Sequence, residues 1–112
     1  MLQQTQLAAT PKISEKRRGV RVNSRVPIAV EWDGDGKETV REETFTKVIG
    51  PYGCLLVLQR SLPVDKRIRI FNLATEGANA GTVVWKGNQR PEGWELGVEL
   101  TKPTMDFWGL EV

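Results

Sequence analysis

Histidine is absent from this chain of 112 residues. Its absence removes the commonest general base at neutral pH and the commonest metal ligand. Zinc sites and histidine-dependent catalytic triads are therefore excluded, and no nucleophile has an evident paired base. The sequence predicts a protein that is not an enzyme and that carries neither a metal nor a cofactor.

Cysteine occurs once, at Cys54, so no intramolecular disulfide can form and a cytoplasmic location is expected. Cys54 opens the longest apolar run, which ends at Leu58 and is too short to cross a bilayer, so membrane insertion is not expected. Within this run, Cys54 is most simply a small core residue. The first five residues lack the basic and then apolar pattern of a secretory signal, and none is predicted.

Positive charge is concentrated near the N-terminus. The whole chain has a net charge of +2, but residues 1–25 alone hold six basic residues against Glu15. A local positive potential suits a local anionic partner better than a long nucleic-acid track. Nucleic-acid binding is therefore not expected, although a small basic barrel that binds nucleic acid remains a weaker alternative.

The most suggestive part of this charge is the run from Lys16 to Arg21, which contains Arg17, Arg18 and Arg21. Three guanidinium groups this close repel one another, and an anion would relieve the repulsion. Because arginine presents a planar fork of donors that matches phosphate, a phosphorylated ligand is the first candidate. The alternative is a basic arm that is simply solvated.

Short alternating segments separated by turns predict an all-β domain. Residues 1–14 are interpreted as a flexible tail and residues 15–112 as the domain. The first strand contains Ile28, Val30 and Trp32, and five more are predicted at 38–48, 54–59, 66–72, 80–86 and 94–100, with 87–93 as a long turn. Six strands without a convincing helix favour a closed barrel or a sandwich, since closure removes exposed edges.

The aromatic residues near the end of the chain allow two interpretations. Trp85 and Trp94 lie on alternating strands and are predicted to be core residues, with Glu95 and Glu99 on solvated faces. The cluster from Phe107 to Leu110 either packs back onto the barrel or forms an exposed docking patch.

The order of these features resembles the PilZ domain family of bacterial cyclic dinucleotide receptors. Arg17-Arg18-Gly19-Val20-Arg21 fits that family's arginine-x-x-x-arginine motif, and the first strand follows it from Val26. The patterns Gly53-Cys54-Leu55-Leu56-Val57 and Leu96-Gly97-Val98-Glu99-Leu100 are also typical, so that the resemblance covers about residues 15–101. The family's second motif is Asp or Asn, any residue, Ser, two residues and Gly. It falls on residues 48–53, where Val48 and Gly50 replace its first two members.

The resemblance implies a six-stranded antiparallel PilZ-like β-barrel with a flexible N-terminal segment that bears the arginines and binds cyclic di-GMP. On this mapping Arg17 and Arg21 would hold phosphates and stack on guanine, and Arg18 would add charge or a guanine-edge contact. Gly50 and Gly53 would lie against the ligand, with Gly53 allowing a close backbone approach. The hydrogen bonds lost at Val48 and Gly50 cost about 1–3 kcal/mol each.

Two functional hypotheses follow. The first is a cyclic di-GMP sensing module that transmits its signal by ordering the N-terminal arginine segment. The alternative is a degenerate PilZ-like domain that binds no nucleotide and acts in protein–protein interaction, which Val48 and Gly50 favour.

Overall fold

The computed structural model describes residues 21–109 and contains seven β-strands. The predicted tail over residues 1–14, together with Arg17, Arg18 and Leu110, lies outside the described residues. The strands, followed by one short 3₁₀ turn (Asp106–Trp108), are β1 (Val22–Asn23), β2 (Pro27–Asp33), β3 (Thr39–Ile49), β4 (Gly53–Leu58), β5 (Arg67–Asn72), β6 (Ala78–Arg90) and β7 (Gly93–Leu100).

Six of these strands close into an antiparallel barrel. The hydrogen-bonded order is β1-β3-β2-β5-β6-β7-β4, and a further pairing of β3 with β4 joins the ends. The predicted six-stranded antiparallel barrel is confirmed, and β1 is an additional two-residue strand outside it. In the described part of the chain, no helix has the length and apolar character that a membrane span requires.

Period-two alternation accounts for the core, because successive side chains of a strand point to opposite faces. On β2, Ile28, Val30 and Trp32 are all buried, as the pattern predicts. The other barrel strands contribute further buried apolar residues in the same way: Leu56 and Leu58 on β4, Ile68 and Ile70 on β5, Val83 on β6, and Leu96, Val98 and Leu100 on β7.

Trp85 departs from this alternation, and its predicted place in the core is wrong. Val83 pairs with Val98 and Trp85 pairs with Gly97, so Val84 is an extra residue in the β6 ladder. Such a bulge reverses the facing of the side chains that follow it, here up to the next irregularity between Lys86 and Gln89. Trp85 therefore lies on the outer face, with 49% of its surface exposed.

The β6–β7 hairpin differs from the prediction in the length of its turn and in the burial of Glu95 and Trp94. The predicted turn over residues 87–93 shortens to Pro91 and Glu92, because β6 runs on to Arg90. Glu95, expected in solvent, is buried because Arg90 and Lys47 cover it, with nitrogen–oxygen distances of 3.1 and 3.8 Å. Trp94, which was predicted to be a core residue, lies two residues before the buried Leu96 but is only half-buried, with the Lys86 ammonium 4.7 Å from its ring centroid.

The C-terminal aromatic residues pack onto the barrel. Phe107 and Trp108 are buried and meet edge to face, with ring centroids 4.8 Å apart. Of the two interpretations of this cluster, packing is therefore confirmed for its described aromatic residues. The docking patch would require exposed rings, and these rings are part of the core.

Thr46 fixes the chain where it enters the barrel. Its fully buried hydroxyl accepts a hydrogen bond from the Val26 amide at 2.9 Å and donates one to the Ser24 carbonyl at 2.6 Å. The Thr46 amide donates to the Val26 carbonyl at 3.1 Å. These bonds hold the segment that joins β1 to β2, and with it the position of β1.

Thr46→Val is expected to lower the free energy of unfolding by about 2 kcal/mol, since the buried Val26 amide and the half-buried Ser24 carbonyl lose their partner at nearly constant side-chain volume. Urea denaturation measures the change. Thr39→Val, at the exposed start of the same strand, is the control and should change stability by less than about 0.5 kcal/mol. Equal effects of the two substitutions would contradict the proposed role of the hydroxyl.

Candidate ligand-binding groove

An open groove of about 510 Å³ runs along the outside of the barrel where β3, β4, β6 and β7 meet. Its floor and walls come from the end of β3, the turn into β4, and the outer faces of β6 and β7. The lining residues are Arg21, Val48, Ile49, Gly50, Pro51, Tyr52, Gly53, Cys54, Leu55, Val84, Trp85, Gly97, Val98 and Glu99.

The groove brings together the predicted site residues that the structure describes, namely Arg21, Gly50 and Gly53. Arg21 reaches the groove because β1, which follows it directly, pairs Val22 with Ile49 and Asn23 with Val48. Arg21 is exposed, and within residues 21–109 it forms no ion pair. Its guanidinium is thus placed beside the second-motif segment and is accessible to an anion.

The loop from Gly50 to Gly53 is held by its own backbone and by the C-terminal segment. The Gly50 amide donates to the Gly53 carbonyl at 2.9 Å, and the Leu100 amide donates to the Tyr52 carbonyl at 2.8 Å. The Trp108 indole N–H donates to the Gly50 carbonyl at 2.8 Å. With these backbone groups satisfied, the loop presents a defined surface to the groove.

Gly53 is required by strand packing. A Cβ at this position would overlap the backbone carbonyl of Val98 on the neighbouring strand β7. The described glycines with positive φ are Gly93 and Gly109, so neither Gly50 nor Gly53 uses the left-handed region. The close contact that explains Gly53 in this structure is therefore with β7.

The second-motif positions offer the groove little polarity. Val48 presents an apolar side chain and Gly50 presents none. Polar side chains in the lining come instead from Arg21, Tyr52 and Glu99. The expected acceptor and hydroxyl are thus missing at the two positions where the motif would supply them.

Trp85 is a groove residue that the alternation of its strand did not predict. Its indole lies across the outer face next to two glycines: a Cβ on Gly97 would meet the Trp85 Cβ at 3.1 Å, and one on Gly87 would overlap the ring. These glycines give the indole room to lie along the strands. Trp85 and Tyr52 are both exposed aromatic side chains in one groove, which is how proteins present stacking surfaces to nucleobases.

Cys54 borders the groove but is chemically protected. It is buried, and burial raises the pKa of its thiol to about 12 because the charged thiolate is poorly solvated. A thiol of this kind is not a nucleophile at neutral pH. Among the described residues, no group of three or more Cys, Asp and Glu side chains is arranged to hold a metal ion.

Gly53→Ala is expected to lower the free energy of unfolding by about 3 kcal/mol, since β4 and β7 must separate to admit the methyl group. Chemical denaturation tests this. Gly36→Ala is the control: its Cβ meets only the flexible carboxylate of Glu38, at 2.9 Å, and should have little effect. Similar stability of the two variants would contradict the close β4–β7 approach.

Cys54 is expected to react with an aromatic disulfide reagent at pH 8 far more slowly in the folded than in the unfolded protein. A pKa of about 12 in place of 9.0 leaves roughly a thousandfold less thiolate. Because of the same pKa shift, the free energy of unfolding does not depend on Cys54 below about pH 9. It falls between about pH 9 and 12, where the thiol ionises in the unfolded state but not in the folded state. Fast labelling of the folded protein would contradict the burial.

Comparison with known proteins gives a structural likeness only. No protein-family model matches the chain, and no curated protein matches its sequence. Among solved structures, the barrel is similar to the Bacillus subtilis inhibitor of motility, MotI/DgrA, with a TM-score of 0.61 and 17% sequence identity. The match covers 83% of this chain and 46% of that one, so the chain corresponds to about half of the motility inhibitor and shares its fold over that part.

Proposed function

We propose that this chain is a cyclic di-GMP binding module. The observation that carries the proposal is the groove, in which Arg21, the Gly50–Gly53 loop and the exposed Trp85 converge. A cyclic dinucleotide combines phosphates with planar bases, and the groove offers a cation and aromatic surfaces side by side.

The phosphates would be held by arginine. Arg21 stands at the groove, and Arg17 and Arg18 belong to the same basic run. Guanidinium groups form paired, charge-assisted hydrogen bonds to phosphate oxygens and also stack on planar rings. The concentration of positive charge in residues 1–25 supports this part of the proposal, because it would attract an anion to this end of the chain.

The bases would be held mainly by stacking. Trp85 and Tyr52 provide aromatic faces, and Val84 and Leu55 extend the apolar lining. Base–aromatic stacking contributes about 1–3 kcal/mol per base, which offsets part of what Val48 and Gly50 fail to supply. Loss of both motif contacts would weaken affinity by about tenfold to ten-thousandfold relative to a site that has them.

Signal transmission would come from the N-terminal arginine segment folding over the bound ligand. β1 runs beside the groove and is directly preceded by Arg21, so a ligand held by Arg21 would lie where this segment joins the barrel. Ordering of such a segment on binding converts occupancy into a change of shape that a partner protein can recognise.

Calorimetric titration with cyclic di-GMP tests the proposal. The wild type should bind, Arg21→Ala should weaken binding about tenfold or more, and Trp85→Leu about fivefold to a hundredfold, through loss of charged hydrogen bonds and of stacking. Arg60→Ala is the control, since Arg60 is exposed but does not line the groove.

A variant that restores the missing motif side chains should bind cyclic di-GMP more tightly, which complements the loss-of-binding variants. The double variant Val48→Asp, Gly50→Ser restores the two motif side chains, and Gly50 lies outside the left-handed region, so its backbone accommodates serine. Tighter binding of cyclic di-GMP by this variant is expected. Absence of heat and of a melting shift for the wild type and the double variant would contradict nucleotide binding and favour the protein-interaction alternative.

A further inference from the structure

Trp108 links the C-terminal turn to the groove without lining it. Its side chain is 2% exposed, and its indole N–H donates to the Gly50 carbonyl across 58 residues of sequence. Gly50 is itself one of the residues that line the groove. One buried hydrogen bond therefore joins the 3₁₀ turn to the backbone of the candidate site.

The segment that carries Trp108 is tied to the same loop at its other end. The Leu100 amide donates to the Tyr52 carbonyl at 2.8 Å, where β7 ends. Two carbonyl groups of the Gly50–Gly53 loop thus depend on the stretch between Leu100 and Trp108. If this stretch moves, the two loop carbonyls lose their hydrogen-bond donors. If the loop moves, the Leu100 amide and the Trp108 indole lose their acceptors.

The 3₁₀ turn also has an anchor away from the groove. The buried Asn72 side chain donates to the Phe107 carbonyl at 2.9 Å, while its oxygen accepts from the Ala74 and Thr75 amides. The turn is therefore fixed between the β3–β4 loop and the β5–β6 turn. It is therefore hydrogen-bonded to both of those loops.

We propose that Trp108 is a positioning residue that couples occupancy of the groove to the packing of the C-terminal turn. In its ligand-dependent part this rests on the proposed function. A ligand that contacts Gly50 favours the loop geometry that the indole also favours, so each stabilises the other. By linkage, a bound ligand stabilises the packed turn, and loosening of the turn lowers the affinity for the ligand by the same factor. On this proposal the C-terminal turn is the element that responds to occupancy of the groove.

Trp108→Phe tests the coupling, because it keeps an aromatic ring in the core and removes the indole N–H. Affinity for cyclic di-GMP should fall about fivefold to thirtyfold, as one buried hydrogen bond at the loop is lost. In the wild type, ligand should slow hydrogen exchange of the Trp108 and Gly109 amides, which bond to Met105 and Asp106. In the variant this protection should be reduced.

Trp32→Phe is the matched control. Trp32 is another buried tryptophan, on β2, and makes no hydrogen bond to the Gly50–Gly53 loop among the described residues. Its substitution should change affinity less than twofold. Equal affinities and equal exchange at the turn in the two variants would overturn the proposal, because a general loss of core packing would then explain both.

A ligand-free measurement separates this proposal from the proposed function. The Gly50 amide, which bonds to the Gly53 carbonyl, should exchange faster in Trp108→Phe than in Trp32→Phe. If the wild type binds no cyclic di-GMP, the proposed function fails, and this comparison still supports or overturns the link between turn and loop. If Trp108→Phe does not fold, Phe107→Leu loosens the same turn: faster Gly50 exchange supports the link and unchanged exchange overturns it.

Discussion

The short ladder between β3 and β4 is the interaction on which the rest of the molecule depends. It pairs Thr46, Val48 and Ile49 with Leu56, Leu55 and Cys54, and so closes the barrel. Two of these β3 residues, Val48 and Ile49, pair with β1 along their opposite edge. Closure therefore creates the groove and sets Arg21 beside it in one step, since the second-motif segment lies at the junction of all three strands.

Two local irregularities in the strands determine which side chains line the groove. The extra residue Val84 turns Trp85 outward, and the shift between Thr46 and Val48 lets β3 leave one ladder and end at the Gly50–Gly53 loop. Bulges concentrate where a sheet must redirect a side chain. The Val84 bulge thereby turns a tryptophan that was expected in the core into an exposed aromatic surface, and the aromatic residues Phe107 and Trp108 pack into the core.

The groove and the C-terminal turn share the Gly50–Gly53 loop, and this gives the binding hypothesis a physical route to an output. The ligand face of the loop carries few side-chain donors, so binding there would depend on arginine, stacking and backbone position. Backbone position is set by Tyr52 and Gly50 accepting hydrogen bonds from Leu100 and Trp108. Because the site offers few side-chain contacts, ligand binding there would depend strongly on the hydrogen bonds that fix the loop backbone.

The sequence by itself determined that the domain is a series of short strands with the arginine run ahead of the first barrel strand. Alternation left a barrel and a sandwich open, and the resemblance to the PilZ family implied the barrel. Alternation and turn residues act locally, which is why Ile28, Val30 and Trp32 could be assigned to one strand without a structure, and all three are buried. Only the tertiary structure decided the facing of Trp85, the burial of Glu95 and the packing of Phe107 and Trp108. Each of these depends on a contact between residues distant in sequence or on a bulge without a local signal: Gly97 against Trp85, Lys47 over Glu95, and Gly50 bonded to Trp108.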